Sequence, residues 1–181
     1  MEVLFDRILT LNLVATTVVF YVAARIYLLP YLPRLHGRTV LVPILLLHSM
    51  RHLGLMFLTR GATYQGLPPQ FAYPAASGDF LTAVLAFASL FLVSRDSAWA
   101  RPLVWVFNLL GTLDLLVAIS LATVYGAPAF MGPAYWIPAF WVPALLVTHY
   151  VTFVLLWKYR ARETDSQQED DSVLLPQFER H

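Results

Sequence analysis

Five apolar stretches, each long enough to cross a lipid bilayer, constrain what this chain can fold into. They run over about 8–30, 39–59, 76–94, 102–125 and 134–157. A membrane-spanning helix needs about 20 predominantly apolar residues. The 181 residues are 59% hydrophobic and 13% charged, so a soluble domain of this length could not bury its apolar surface in one core. The sequence therefore predicts an all-α integral membrane protein, a bundle of five transmembrane helices.

Lys and Arg concentrate on one side of the predicted bundle. Arg7 and Arg60 flank the opposite side. Because cytoplasmic loops carry an excess of Lys and Arg, this pattern places the N-terminus outside and the C-terminus in the cytoplasm. The protein is thus expected to be a multi-pass protein of the cytoplasmic (inner) membrane of a bacterium. The cationic residues of the predicted cytoplasmic side are Arg25, Arg34, Arg38, Arg95, Arg101, Lys158, Arg160 and Arg162.

The chain divides at about residue 160. Residues 1–160 form the predicted five-helix transmembrane domain. Residues 161–181 are polar and, up to Asp171, acidic, a composition typical of a chain that buries too little apolar surface to fold. We expect this segment to be a disordered acidic tail in the cytoplasm.

Composition also excludes several kinds of function. A net charge of +1 without a basic stripe argues against nucleic acid as a partner. The absence of cysteine excludes thiolate metal sites and cysteine nucleophiles. The sequence contains no serine dyad, phosphate-binding loop or dinucleotide fingerprint, so it names no reaction, and whether the protein is an enzyme stays open.

The segment LLLHSMRHLGLMF places ionisable residues in the middle of the second apolar stretch. His48, Arg51 and His52 are three or four residues apart and would share one face of an α-helix. A central Arg costs about 2.5–3.5 kcal/mol on insertion scales, so it is expected to face the bundle and pair. Asp114 lies about 18 Å from the cytoplasmic end of the fourth stretch, the same depth as Arg51 in the second. We therefore predict an Arg51–Asp114 ion pair.

Further polar residues lie at similar depth on the fourth and fifth stretches. His149 is about 12 Å from the cytoplasmic end of its stretch and His48 about 14 Å from that of its own, so the two histidines could meet across the bundle. The predicted ligand-binding residues are His48, Arg51, His52, Asp114 and His149, supported by Asn108, Thr112, Thr148 and Thr152.

Two prolines interrupt the outer half of the fifth stretch. Pro138 and Pro143 each remove a backbone donor, which predicts either a kinked helix fitted to its neighbours or the wall of a cavity in the outer leaflet. Asp79, in SGDF, could lie at the mouth of that cavity, but its position at the expected start of the third helix favours a role as N-cap.

The polar cluster is compatible with several ligands. His48 and His149 could supply the two axial ligands of haem b. His48, His52, His149 and Asp114 could hold a divalent metal ion, since imidazole and carboxylate suit zinc, iron or copper. Alternatively, Arg51 could meet the polar group of a small hydrophobic molecule, such as a lipid, quinone or isoprenoid.

Two further hypotheses need no bound organic ligand. His and Asp side chains across a membrane are the usual material of a proton relay or transport path. The cluster could also be purely structural, in a homo-oligomer or in a structural or assembly subunit of a larger membrane complex.

Overall fold

A computed structural model describes residues 2–158, with side chains from residue 7 onwards. Every regular element in this range is helical. Five helices are long and apolar enough to cross a membrane, which confirms the predicted number. The predicted tail, residues 161–181, lies outside the described residues.

The helices follow one another with short connections. The second span continues from an α-helix directly into a 3₁₀ helix, and the fifth begins with short irregular turns at Gly132 and ends at Lys158. The elements are α1 (Glu2–Tyr27), α2 (Gly37–Ser49), a 3₁₀ helix (Met50–Leu58), α3 (Pro69–Ser94), α4 (Ala100–Val124) and α5 (142–158).

The third helix begins earlier than the sequence suggested. The expected start was residue 76, but α3 begins at Pro69, and Pro74 lies within it. Proline is well tolerated at the first helical position because that residue's N–H would have no intrahelical partner. The interpretation of Asp79 as an N-cap is therefore wrong, because Asp79 lies inside the helix, about 15 Å from its start.

The second span changes helix type immediately before Arg51. In a 3₁₀ helix, residues three apart are aligned, since there are three residues per turn. Arg51, Gly54 and Phe57 follow this spacing, and all three are buried. The segment therefore presents one strip to the bundle and turns its other residues outward.

The fifth span is irregular where the prolines lie. A 3₁₀ turn (Gly132–Tyr135) is followed by a π-helical turn (Ile137–Trp141), whose end is marked by the Val142 N–H donating to the Ile137 carbonyl. The regular α5 begins at the residue before Pro143. The irregular backbone agrees with the predicted proline-induced distortion.

The helix α3 lies at the centre of the bundle, against α2, the 3₁₀ helix and α4. Small buried side chains on α3 let these neighbours approach closely, as is common between membrane helices. In contrast, α1 is peripheral and packs on the fifth span, against both its irregular start and α5. The buried alanines of α3 are Ala72, Ala75, Ala76, Ala83 and Ala86.

Two connections bind each other at one end of the bundle. The Tyr64 N–H donates to the Phe130 carbonyl, and the Ala134 N–H donates to the Ala62 carbonyl, both at 2.9 Å. Met131 is fully buried beneath them. We call this region, formed by residues 59–68 and 125–136, the loop end.

Candidate functional site

The guanidinium of Arg51 lies at the centre of the polar site. Its Nε donates to Asp79 Oδ1 at 2.7 Å and its Nη2 donates to Asp114 Oδ2 at 2.5 Å. Its Nη1 donates to the Gly111 carbonyl at 3.2 Å. The side chain has no exposed surface. The structure thus contains the predicted Arg51–Asp114 ion pair and adds a second carboxylate, Asp79, from α3.

His149 extends this cluster onto α5. Its Nε2 lies 3.4 Å from Arg51 Nη1, which can only donate, so Nε2 is the acceptor. Its Nδ1 then carries the proton and donates to Asn108 Oδ1 at 2.7 Å. The Asn108 amide returns a hydrogen bond to the His149 carbonyl at 3.3 Å. These contacts connect Arg51 to both α4 and α5 and fix a neutral tautomer of His149.

His48 is buried beside His149. The centroids of the two rings are 4.2 Å apart, and Phe107 packs against both. The Thr148 hydroxyl donates to the Ala144 carbonyl, so it accepts from His48 Nε2, 2.9 Å away. His48 Nδ1 has no hydrogen-bond partner among the described residues, although it is buried. A proton on Nδ1 would be buried without an acceptor, so His48 is the neutral tautomer that is protonated on Nε2, with one nitrogen unsatisfied.

Three glycines make room for the charged and aromatic groups. A Cβ at Gly54 would collide with the Asp79 carboxylate, and a Cβ at Gly78 would collide with the Asp114 carboxylate. A Cβ at Gly111 would lie 2.6 Å from His149 Cε1. The close approach of backbone to these side chains therefore requires glycine at each position.

The structure does not bring together all the predicted site residues. His52 is exposed, and its Nδ1 lies 3.0 Å from the Ser49 carbonyl oxygen. The prediction that it shares a face with His48 and Arg51 is wrong, because the α-helix ends at Ser49 and the 3₁₀ helix turns residue 52 away. The hydroxyls of Thr112 and Thr152 donate to carbonyls of their own helices.

The geometry does not favour the predicted metal or haem sites. Within residues 7–158, no three His, Asp or Glu side chains are grouped as metal ligands would be. The direct contact of His48 with His149 leaves no space for a flat macrocycle between their rings. The nitrogens that would bind iron are also engaged, by Thr148 and by Arg51.

Sequence reasoning missed Asp79 as a partner of Arg51, although it named Asp79 as a residue that could lie at the mouth of the cavity. The preceding PPQFAYP resembles a loop, so Asp79 was assigned to the helix start. The signal that could have identified this role is the negative charge of Asp79 within an apolar stretch. A single buried arginine can pair with two carboxylates, as Arg51 does with Asp79 and Asp114.

An apolar cavity of about 290 Å³ lies beside the cluster. Its wall comes from α1, the 3₁₀ helix, α3, α4 and the irregular start of the fifth span, including Pro138. Asp79 is the only ionisable residue among the described residues that line it. The side chain of Asp79 is 13% exposed, whereas that of Arg51 is not exposed. The group that the cluster presents to the cavity is consequently a carboxylate.

Comparison with protein families adds a relationship to this geometry. Residues 8–157 match the model of a domain of unknown function, DUF8737. The chain belongs to this family. The match covers all five spans of this DUF8737 protein almost completely and ends before the predicted tail. No curated protein and no solved structure matches the chain significantly. The functional argument for the DUF8737 chain therefore depends on its own site.

Proposed function

We propose that this protein is a multi-pass protein of a bacterial cytoplasmic membrane that binds a small hydrophobic molecule between its helices. The observation that supports the proposal is the cavity of about 290 Å³, which is bounded by Asp79 and otherwise mostly apolar. Its size is at the lower limit of the roughly 300–1,000 Å³ typical of small-molecule sites, and an apolar wall with few polar groups is typical of them.

The proposed orientation places the loop end outside. Exposed apolar side chains cover much of α1, α3 and α4, as expected for helices that face lipid. The bias of Lys and Arg described above then puts the N-terminus outside and the C-terminus in the cytoplasm. In this orientation the cavity lies in the outer half of the membrane, because its lining includes Leu9, Ala122 and Met131, all near the loop end.

The geometry favours binding over proton transfer through the cluster. A relay would have to pass from the carboxylates to His149 by way of Arg51, and a guanidinium in proteins keeps its protons. His48, at the far end, has no hydrogen-bond partner for Nδ1 among the described residues. The cluster is thus better suited to fix the helices around the cavity than to conduct protons.

Filling the cavity tests the proposed function. Ala118 lines the cavity, and the neighbouring Val117 is 43% exposed on the outer surface of the same helix. We expect Ala118→Phe to abolish binding of the neutral fluorophore prodan to the protein in nanodiscs, after subtraction of the signal from empty nanodiscs. Val117→Phe is the matched control and should bind like wild type. Equal binding by both variants would contradict the proposal.

A further inference from the structure

The charges of the buried cluster do not balance. Arg51 supplies one positive charge, whereas Asp79 and Asp114 supply two negative charges. The contact with Arg51 makes His149 neutral, and a proton on His48 Nδ1 would be buried without an acceptor among the described residues, so His48 is neutral too. Among the described residues, no other Lys or Arg forms an ion pair with either carboxylate. With both carboxylates ionised, the cluster therefore carries a net charge of about −1 at a depth where an uncompensated charge is expensive.

One of the two carboxylates lies where a ligand could reach it. Asp79 Oδ1 accepts a hydrogen bond from Arg51 Nε, whereas Asp79 Oδ2 accepts none from the described residues. Asp79 is also the carboxylate that lines the cavity. A hydrogen-bond donor with a positive charge would satisfy the oxygen and neutralise the cluster at the same time.

The rest of the cavity selects among cations. A bare metal ion such as Ca²⁺ takes six to eight oxygen ligands. The cavity wall is mostly apolar, with the hydroxyls of Thr10 and Thr123 as its other side-chain oxygens. An organic cation needs only one strong acceptor for its charged group and apolar surface for its carbon atoms.

We infer that the cavity binds a small amphiphile with a protonated amine, whose ammonium group donates to Asp79 while its hydrocarbon part fills the apolar space. This inference depends on the proposed function and names the chemical class of its ligand. It differs from the expectation from the sequence, in which Arg51 rather than Asp79 would meet the polar group of the ligand.

Three probes that share an eight-carbon hydrocarbon chain and differ only in their head group test the class of ligand. Octylamine, octan-1-ol and octanoate would compete with prodan for wild-type protein in zwitterionic nanodiscs. We expect octylamine to displace prodan at about one-tenth of the concentration that octan-1-ol requires, since a charge-assisted hydrogen bond is roughly twice as strong as a neutral one. Octanoate should be the weakest competitor. Asp79→Asn should reduce the preference for octylamine over octan-1-ol.

The outcomes separate this inference from the proposed function. Equal displacement by octylamine and octan-1-ol, with prodan binding still blocked by Ala118→Phe, would overturn the amine and leave the binding site intact; it would indicate that a proton neutralises the cluster. Prodan binding that is insensitive to Ala118→Phe would instead contradict the proposed function.

A second measurement needs no ligand and keeps Asp79. Ala75 lines the cavity one helical turn before Asp79, so a side chain there lies on the same face. Ala75→Lys would introduce a tethered ammonium, and Ala75→Met is a neutral control of similar length. We expect Ala75→Lys to melt at a higher temperature than Ala75→Met. A lower melting temperature for Ala75→Lys would overturn the inference that the cavity accommodates a cation.

Discussion

Two adjoining regions of the bundle are filled in opposite ways. The Arg51 side chain is enclosed by its partners and has no exposed surface. Beside it, apolar side chains surround about 290 Å³ of open space. Asp79 belongs to both regions, since one of its oxygens accepts from Arg51 and its side chain also borders the cavity.

The contrast assigns different tasks to neighbouring residues. The Arg51 cluster connects the second span with α3, α4 and α5, because its partners come from all three helices. The cavity is lined by side chains from several of the same helices, and Arg51 is not among its lining residues. Loss of the cluster should consequently reduce stability, whereas filling of the cavity should reduce binding.

The largest effect should follow removal of the central cation. Arg51→Met leaves Asp79 and Asp114 buried side by side without a counter-ion, which should cost about 3–5 kcal/mol of unfolding free energy. Unfolding by sodium dodecyl sulfate in bicelles measures the loss. His52→Met is the matched control, because its exposed side chain is outside the cluster. Similar losses in both variants would show that the cluster does not hold the bundle together.

A smaller effect should follow from crowding the cluster. Gly78→Ala places a Cβ against the Asp114 carboxylate, and overpacking of this kind typically costs about 1–3 kcal/mol. The same unfolding assay measures the loss. Ser77→Ala, on the exposed side of the same helix, should be close to wild type. A Gly78→Ala variant as stable as Ser77→Ala would contradict the close approach of α3 to Asp114.

Removal of one carboxylate should cost less than removal of the guanidinium. Asp114→Asn retains the Arg51–Asp79 ion pair and leaves the cluster neutral, so we expect a loss of about 1–2 kcal/mol. The sequence predicted Asp114 as the partner of Arg51, whereas the structure supplies a second carboxylate, Asp79, that keeps Arg51 paired. Measurement of Asp114→Asn beside Arg51→Met tests this asymmetry, and equal losses would argue against shared pairing.

The smallest effect should come from His48. His48→Leu removes a buried nitrogen that has no partner among the described residues, and we expect the free energy of unfolding to change by less than about 1 kcal/mol. His149→Leu should cost more free energy of unfolding, because Asn108 Oδ1 then loses its donor and an Arg51 N–H loses its acceptor. The difference between the two leucine variants is the quantity to measure; a larger loss for His48→Leu would contradict the assigned hydrogen bonds.

The sequence was informative wherever the prediction depends only on the length of a helix or on its constant rise per residue. Five apolar stretches predicted five helices, since about 20 apolar residues are needed for each crossing. The common depth of Arg51 and Asp114 predicted their contact, because the rise per residue of an α-helix is constant. The same argument placed His48 near His149, and the two rings do pack together.

Sequence reasoning failed where helical geometry changes locally. His52 was assigned to the face of Arg51 on α-helical spacing, but the chain is a 3₁₀ helix from Met50 to Leu58. Gly54 lets this segment lie against the Asp79 carboxylate, and that contact depends on α3, which follows later in the chain. Asp79 was missed as a partner of Arg51 because prolines preceding it conceal the start of α3.

What the sequence determined by itself is the number of apolar helices, the bias of charge between their ends and one buried ion pair. Each of these follows from local composition or from distance along a single helix. The tertiary structure alone decided that Asp79 shares Arg51 with Asp114, that a glycine meets each carboxylate and that a cavity lies beside them. The reason is physical: these features are made by side chains from several helices, and their relative positions are set by packing across the bundle rather than by spacing along the chain.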